Sequence, residues 1–220
     1  MRCTMLALVA TILAPIALAA MSFAAQAQET ELQLNVRLLE FSKQKDAARA
    51  RKMVEEGAAV NSRNRLGKTP LLMWVEAGEL SMVEWLIAKG ASVNQESLDK
   101  ITPLMAAAYA GRADIMRALF AAGAEIDRED QVFKTAMIYA AAEGHVEAVQ
   151  LLLDHGVDVN RRYNHNLTAL MWAAGYGKAE CVRALLERGA DPNLRDDRGK
   201  TAADIAAEQG YQAVVAMLKQ

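Results

Sequence analysis

The chain has 220 residues, 53% of them apolar and 24% charged, with a formal net charge of −2. That apolar content is too high for a disordered chain and is enough to build a core. The near balance of charge argues against broad nucleic-acid binding, which depends on clustered Lys and Arg neutralising phosphates.

The first stretch, "MRCTMLALVATILAPIALAAMSFAAQAQET", differs in character from the rest. Arg2 leads into an uncharged apolar run from Leu6 to Phe23, followed by the small-residue pattern Ala25-Gln26-Ala27. This is the layout of an export signal, and cleavage is expected after Ala27. An uncleaved inner-membrane anchor is the alternative, because the run approaches the roughly 20 residues a span needs. Pro15, the many alanines and the lack of a basic flank after the run favour cleavage. Cleavage removes Arg2 and Cys3, leaving 24 basic against 27 acidic residues, a formal charge of −3, and one cysteine, Cys181. A single cysteine forms no internal disulfide.

Beyond residue 29 the chain repeats itself. Threonines fall at 69, 102, 135, 168 and 201, each 33 after the last, and glycines at 57, 90, 123, 156 and 189 keep the same step. A third series, Gly78, Gly111, Gly144, Gly177 and Gly210, does so again. Registers locked to one period of this length imply stacked supersecondary units.

Each unit can be read from "ITPLMAAAYAGRADIMRALFAAGAEID", residues 101–127. Thr102 is placed to cap a helix through its hydroxyl, and Pro103 occupies the first helical position, where its missing N–H costs nothing. Gly111 ends that helix. A second follows, with Ile115, Met116, Leu119 and Phe120 on its inward face. Gly123 ends the second helix in a left-handed conformation. "AEIDREDQVFKT" is too polar and too short for another helix and reads as an extended hairpin.

These units resemble ankyrin repeats. The family's T-P-L-x-x-A-A-x-x-G opening and G-A-x-V-N ending appear as "TPLLMWVEAG" with "WLIAKGASVN", and as "TALMWAAGYG" with "ALLERGADPN". The resemblance implies an all-α repeat solenoid of helix-turn-helix units with short β-hairpin loops. Full repeats are expected at about 66–98, 99–131, 132–164 and 165–197. A degenerate cap repeat is expected at about 29–65, where "VRLLEFSKQK" lacks the T-P-L opening but "MVEEGAAVN" keeps the ending, and a C-terminal cap repeat at 198–220.

Two departures from the family pattern matter. The histidine usual after T-P-L is replaced by Leu72, Met105, Ile138, Met171 and Asp204, so apolar packing should stand in for its hydrogen bonds. The hairpin-tip glycine is kept as Gly67 and Gly199 but becomes Lys100, Phe133 and Asn166 in the middle repeats. Asparagine tolerates a left-handed turn, whereas lysine and phenylalanine do so poorly, and the middle hairpins are therefore expected to turn differently.

Catalytic and metal motifs are not supported. "LGKT" at 66–69 and "RGKT" at 198–201 mimic the end of a phosphate-binding loop, but Ser62 and Leu194 stand where its first glycine is needed. His145, His155 and His165 should lie at the start of a helix, at its end about 15 Å away, and on the next hairpin, so they do not converge on one ion. Cys181 falls where its helix wants a buried aliphatic residue. No G-x-S-x-G elbow or H-E-x-x-H helix occurs. No enzyme activity, cofactor or metal is expected.

The surface then carries the function. The basic clusters Arg63/Arg65 and Arg161/Arg162, with the acidic stretch Glu125, Asp127, Glu129 and Asp130, read as a mixed solvated edge. The ankyrin resemblance implies protein binding through the hairpins and the exposed face of each first helix. By position, the first-helix pairs are Glu76-Ala77, Tyr109-Ala110, Ala142-Glu143, Gly175-Tyr176 and Glu208-Gln209. The hairpins add Arg65, Leu66, Leu98, Ile101, Val132, Phe133, Tyr163 and His165, several of them apolar where a solvated loop is normally polar. Tyr109, Phe133, Tyr163 and Tyr176 are the expected centre of that surface.

The expected function is that of an exported, periplasmic, non-enzymatic module binding or regulating another envelope protein, with no nucleic acid and no membrane as partner after cleavage. The alternatives are a passive accessory supporting an envelope enzyme under stress, and a secreted effector binding a host protein.

Overall fold

The computed structural model describes residues 30–219, so the export segment and its cleavage site lie outside the described residues. The chain divides into two compact units, before and after the junction of Ser62 with Arg63. In the first unit, helix α1 covers 30–43 and α2 spans Ala47–Glu55. Asp46 caps α2 by accepting the Arg49 N–H at 3.0 Å, and Leu38, Ala50 and Met53 form its small core. Asn35 Oδ1 accepts the Ala59 N–H at 2.7 Å and ties the chain after α2 back to α1.

The second unit is a run of helix pairs: α3 (Pro70–Ala77) with α4 (Leu80–Ala88), α5 (Pro103–Tyr109) with α6 (Ala113–Ala121), and α7 (Ala136–Glu143) with α8 (Val146–Asp154). The pairs α9 (Ala169–Gly175) with α10 (Ala179–Glu187) and α11 (Ala202–Glu208) with α12 (Gln212–Leu218) complete it. First helices pack on first helices and second on second, giving two layers with the core between them. The second unit is an all-α repeat solenoid.

The threonine register starts each first helix. Thr69, Thr102, Thr168 and Thr201 accept the N–H of Leu72, Met105, Met171 and Asp204 at 3.2–3.3 Å. Thr135 makes no such bond, and its hydroxyl sits beside the Tyr163 phenol instead. The positions that lost the family histidine are filled as expected, with Leu72, Met105, Ile138 and Met171 all buried. Asp204 differs: it is exposed and returns a bond to the Thr201 N–H at 2.9 Å, closing a capping box.

In the second layer Ile115, Met116 and Leu119 are buried, and the equivalent faces present Val149 with Leu152 and Cys181 with Leu185. Phe120, expected beside them, is only part-buried and stacks on His155 of the next repeat at 3.9 Å between ring centroids.

Among the described residues the loops form no β-strand. They are turns laid edge to edge, joined by single backbone bonds such as Leu98 N–H to Leu66 O at 2.9 Å. One bond per neighbour is too few for a ladder.

Candidate functional site

The loop turns share one construction. The backbone N–H of residues 64, 97, 130, 163 and 196 donates to the carbonyl four residues on, at 2.8–3.0 Å. At four of these positions the side chain reinforces the turn. Asn64 Oδ1 accepts from Leu66 and Lys68 N–H, Ser97 Oγ from Ile101 N–H, Asp130 Oδ1 from Val132 and Lys134 N–H, and Asp196 Oδ1 from Arg198 and Lys200 N–H.

This corrects the expectation for the middle hairpins. Lys100 and Phe133 adopt the same left-handed conformation as Gly67, with φ of 60° and 62° against 73°. The bonds from Ser97 and Asp130 offset the conformational cost that lysine and phenylalanine bear there. The turn that does differ is the one beginning at Tyr163, which has no such acceptor. A 3-10 turn over Asn164–Asn166 replaces it, with His165 and Asn166 both at positive φ.

Asp130 and Asp196 are buried in these turns, so Asp130 does not belong to a solvated acidic edge. Burial works to raise the Asp196 carboxyl, but the Lys200 N–H, the Arg198 guanidinium and the Arg198 N–H together hold it below the usual carboxylate range. The arginine clusters remain at the surface: Arg63 donates to Gly67 O and Glu96 O, and Arg161 pairs with Asp127.

The first helices line up their exposed faces beside these turns. Tyr109 and Tyr176 are 55% and 50% exposed, and Glu143 is exposed as well. Glu76 is exposed and held by Lys68 Nζ at 2.7 and 2.9 Å. Tyr109 meets Tyr139 edge to face at 5.8 Å, and Trp172 stacks on Tyr176 at 6.0 Å. Lys134 Nζ lies between the two pairs, 5.6 Å from the Tyr139 ring and 5.2 Å from the Trp172 ring.

The Tyr139 hydroxyl donates to Asp130 Oδ2 at 2.5 Å, which fixes the ring to the turn. Burial first, and then Asp130, push the Tyr139 phenol well above its ordinary range. Between Glu76 and this aromatic run lies a cleft of about 480 Å³, walled by Ile101, Met105, Tyr109 and Tyr139 over Ala106 and Ala110. The alanines make the room. A second cleft of about 370 Å³ is walled by Leu167, Trp172, Tyr176, Ile205 and Tyr211.

The structure brings Glu76, Ile101 and Tyr109 together at the first cleft and places Tyr176 at the second. Arg65, Leu98, Val132, Phe133 and His165 lie exposed on the turns. Tyr163 does not join them: it is 8% exposed, and burial pushes its phenol up to about 12. Its ring is covered by Arg161, 5.4 Å from the centroid, so it serves packing and is removed from the partner surface. Tyr139, Trp172 and Lys134 were not anticipated. Positions 139 and 172 share the register of 106 and lie three and four residues before 142 and 176 on the same helical face, a spacing that could have found them.

A family model described as ankyrin repeats in three copies matches residues 24–130, 100–163, 128–196 and 162–220. The chain belongs to the ankyrin-repeat family. No curated protein matches the chain. Ankyrin repeats generally mediate protein–protein interaction, and the first-helix face of this chain presents two of its exposed rings, Tyr109 and Tyr176.

His145 and His155 cap the two ends of α8, and His165 sits in the 3-10 turn. Among the described residues no group of three His, Cys, Asp or Glu side chains is placed to hold a metal. No helix among them is long and apolar enough to cross a membrane.

Proposed function

We propose that this protein is an exported, non-enzymatic binding module of the periplasm that holds another envelope protein in the first-helix groove of its ankyrin repeats. One observation carries this reading. Tyr109 and Tyr176, each at least half exposed, stand beside clefts, the first of them floored by Ala106 and Ala110. Large rings beside a cleft are the usual anchors of a protein interface, because they bury much area with little loss of side-chain entropy. Glu76 with Lys68 and Glu208 with Lys200 form equivalent ion pairs towards the two ends of the groove, with the aromatic pairs, Lys134 and the exposed Glu143 between them. The apolar run ahead of Ala25-Gln26-Ala27 supports export, with cleavage after Ala27.

The test is affinity capture of the tagged protein from its own cell envelope, beside a Tyr109→Ala/Tyr176→Ala variant shown to fold by circular dichroism. One dominant partner, lost with the variant, is expected. Identical capture by both proteins contradicts the groove assignment. Intact mass of the bait checks whether residues 1–27 are gone. A partner found only in host material supports secretion instead.

A further inference from the structure

The residue whose carbonyl closes each loop turn alternates in kind along the chain: Lys68, Ile101, Lys134, Leu167 and Lys200. Two of the three lysines are matched by the chain itself. Lys68 Nζ reaches Glu76 at 2.7 Å, and Lys200 pairs with Glu208, in each case the residue eight positions on. Eight positions beyond Lys134 stands Ala142, which offers no carboxylate.

No other group among the described residues takes that place. Lys134 Nζ lies 5.6 Å from the centre of the Tyr139 ring and 5.2 Å from that of Trp172, and its side chain forms neither an ion pair nor a hydrogen bond there. Ring faces hold an ammonium, but they do not satisfy its three N–H donors as a carboxylate does. Asp130, in the same turn, is engaged by the Val132 N–H, the Lys134 N–H and the Tyr139 hydroxyl. Glu143 follows Ala142 and does not pair with Lys134. The indole beside the lysine repeats the pattern: Trp172 Nε1–H is shielded from solvent and has no acceptor among the described residues.

Given a protein partner in the first-helix groove, the reading on which this rests, we infer that the partner supplies the carboxylate: an Asp or Glu side chain on Lys134, between two apolar residues that enter the two clefts. Tyr139 walls the first cleft and Trp172 the second, so the clefts lie on opposite sides of the lysine. A segment that continues both ways past its acid carries that acid as a side chain and not as a C-terminal carboxylate. Neighbouring first helices about 10 Å apart set the clefts on the order of 20 Å apart. Extended chain covers that in about six residues, which puts each apolar residue about three from the acid. Complementary charge at the centre of the groove then sets which partner is accepted.

The test is selection of a phage-displayed library of random dodecapeptides on the protein, in the N-terminal form in which it is isolated, followed by fluorescence anisotropy with the enriched peptides. They should carry Asp or Glu with an apolar residue about three positions away on each side. Replacing that acid by its amide should weaken binding about tenfold. Lys134→Met should weaken the acidic peptide equally and leave the amide peptide unchanged. Ala142→Glu gives Lys134 the internal partner that Lys68 and Lys200 have, and should also weaken the acidic peptide about tenfold. Tyr109→Ala/Tyr176→Ala should abolish binding of both peptides. Enriched peptides that need the tyrosines but lack the acid, or that are indifferent to Lys134→Met and Ala142→Glu, overturn the carboxylate and leave the groove standing. Absence of enrichment, or peptides indifferent to the tyrosines, overturns the groove and this inference with it.

Discussion

The imidazole of His145 stands over Gly111. Its Cγ and Cε1 lie 2.7 Å from where a Cβ on that glycine would be, and its Nε2 is 2.9 Å from Tyr109 O. The same relation recurs with Arg112 over Gly78, Lys178 over Gly144 and Tyr211 over Gly177. Each of these glycines therefore meets two demands: a left-handed backbone, and room for a side chain from the next repeat.

Gly123 supplies the contrast, with φ 84° but nothing within 4 Å of a Cβ. Gly123→Ala should cost about 1 kcal/mol, the price of the backbone conformation alone. Gly111→Ala should cost about 1 kcal/mol more, because the ring must move. Removing the ring with His145→Ala should abolish that difference. Urea denaturation of the variants measures this, and equal losses at the two glycines would refute the stacking role.

Phe133→Gly relieves the left-handed cost while keeping both Asp130 bonds to the turn. It should raise stability by about 1 kcal/mol, the gain in backbone freedom at positive φ offset in part by the entropy of glycine. Lys100→Gly should behave alike. An unchanged or lower denaturation midpoint would mean that the exposed ring stabilises the turn after all.

Acid should weaken the fold through Asp114, Asp196 and Asp204. The Arg112 guanidinium first of all holds Asp114 below its ordinary range, backbone and side-chain bonds from Thr201 do the same for Asp204, and the bonds to Asp196 outweigh its burial. A depressed carboxyl stabilises the folded chain above its unfolded pKa, about 3.9 for Asp, and loses that contribution as pH falls through the folded value. Stability should therefore be flat above about pH 5 and fall below about pH 4. Asp196→Asn keeps an acceptor for both N–H groups and should make the fall shallower. An acid limb identical to wild type would show that Asp196 does not contribute to it.

Cys181 is fully buried in α10, and burial pushes its thiol up to about 11. Iodoacetamide at pH 8 should leave the native protein unmodified and alkylate it fully in denaturant. Rapid native labelling would mean that α10 opens locally or that the thiol is activated.

Much of this architecture is legible from spacing. Three residue series on one 33-residue step locate the caps, the helix ends and the loops, because each does one local job that few residue types can do. The turns were harder. Reading the tip position for glycine alone missed that Asn64, Ser97, Asp130 and Asp196, themselves in register, bond to the turn, and that in two of these turns the bonds from Ser97 and Asp130 accompany a non-glycine residue, Lys100 or Phe133, in the left-handed region.

Burial was harder still. Asp130 looked like part of an acidic surface run and Tyr163 like an exposed anchor, because a linear pattern does not show which loop residues turn under their neighbours. Tyr139, Trp172 and Lys134 come together only across adjacent repeats.

The most direct test of the groove is hydroxyl-radical footprinting of the purified complex with the captured partner, read by mass spectrometry against the free protein. Tyr109 and Tyr176 should be oxidised readily in the free protein and strongly protected in the complex, while Trp85 and Phe120 on the second helices change little. Unchanged oxidation of both tyrosines, with protection moving to the second helices, would contradict a groove-bound partner.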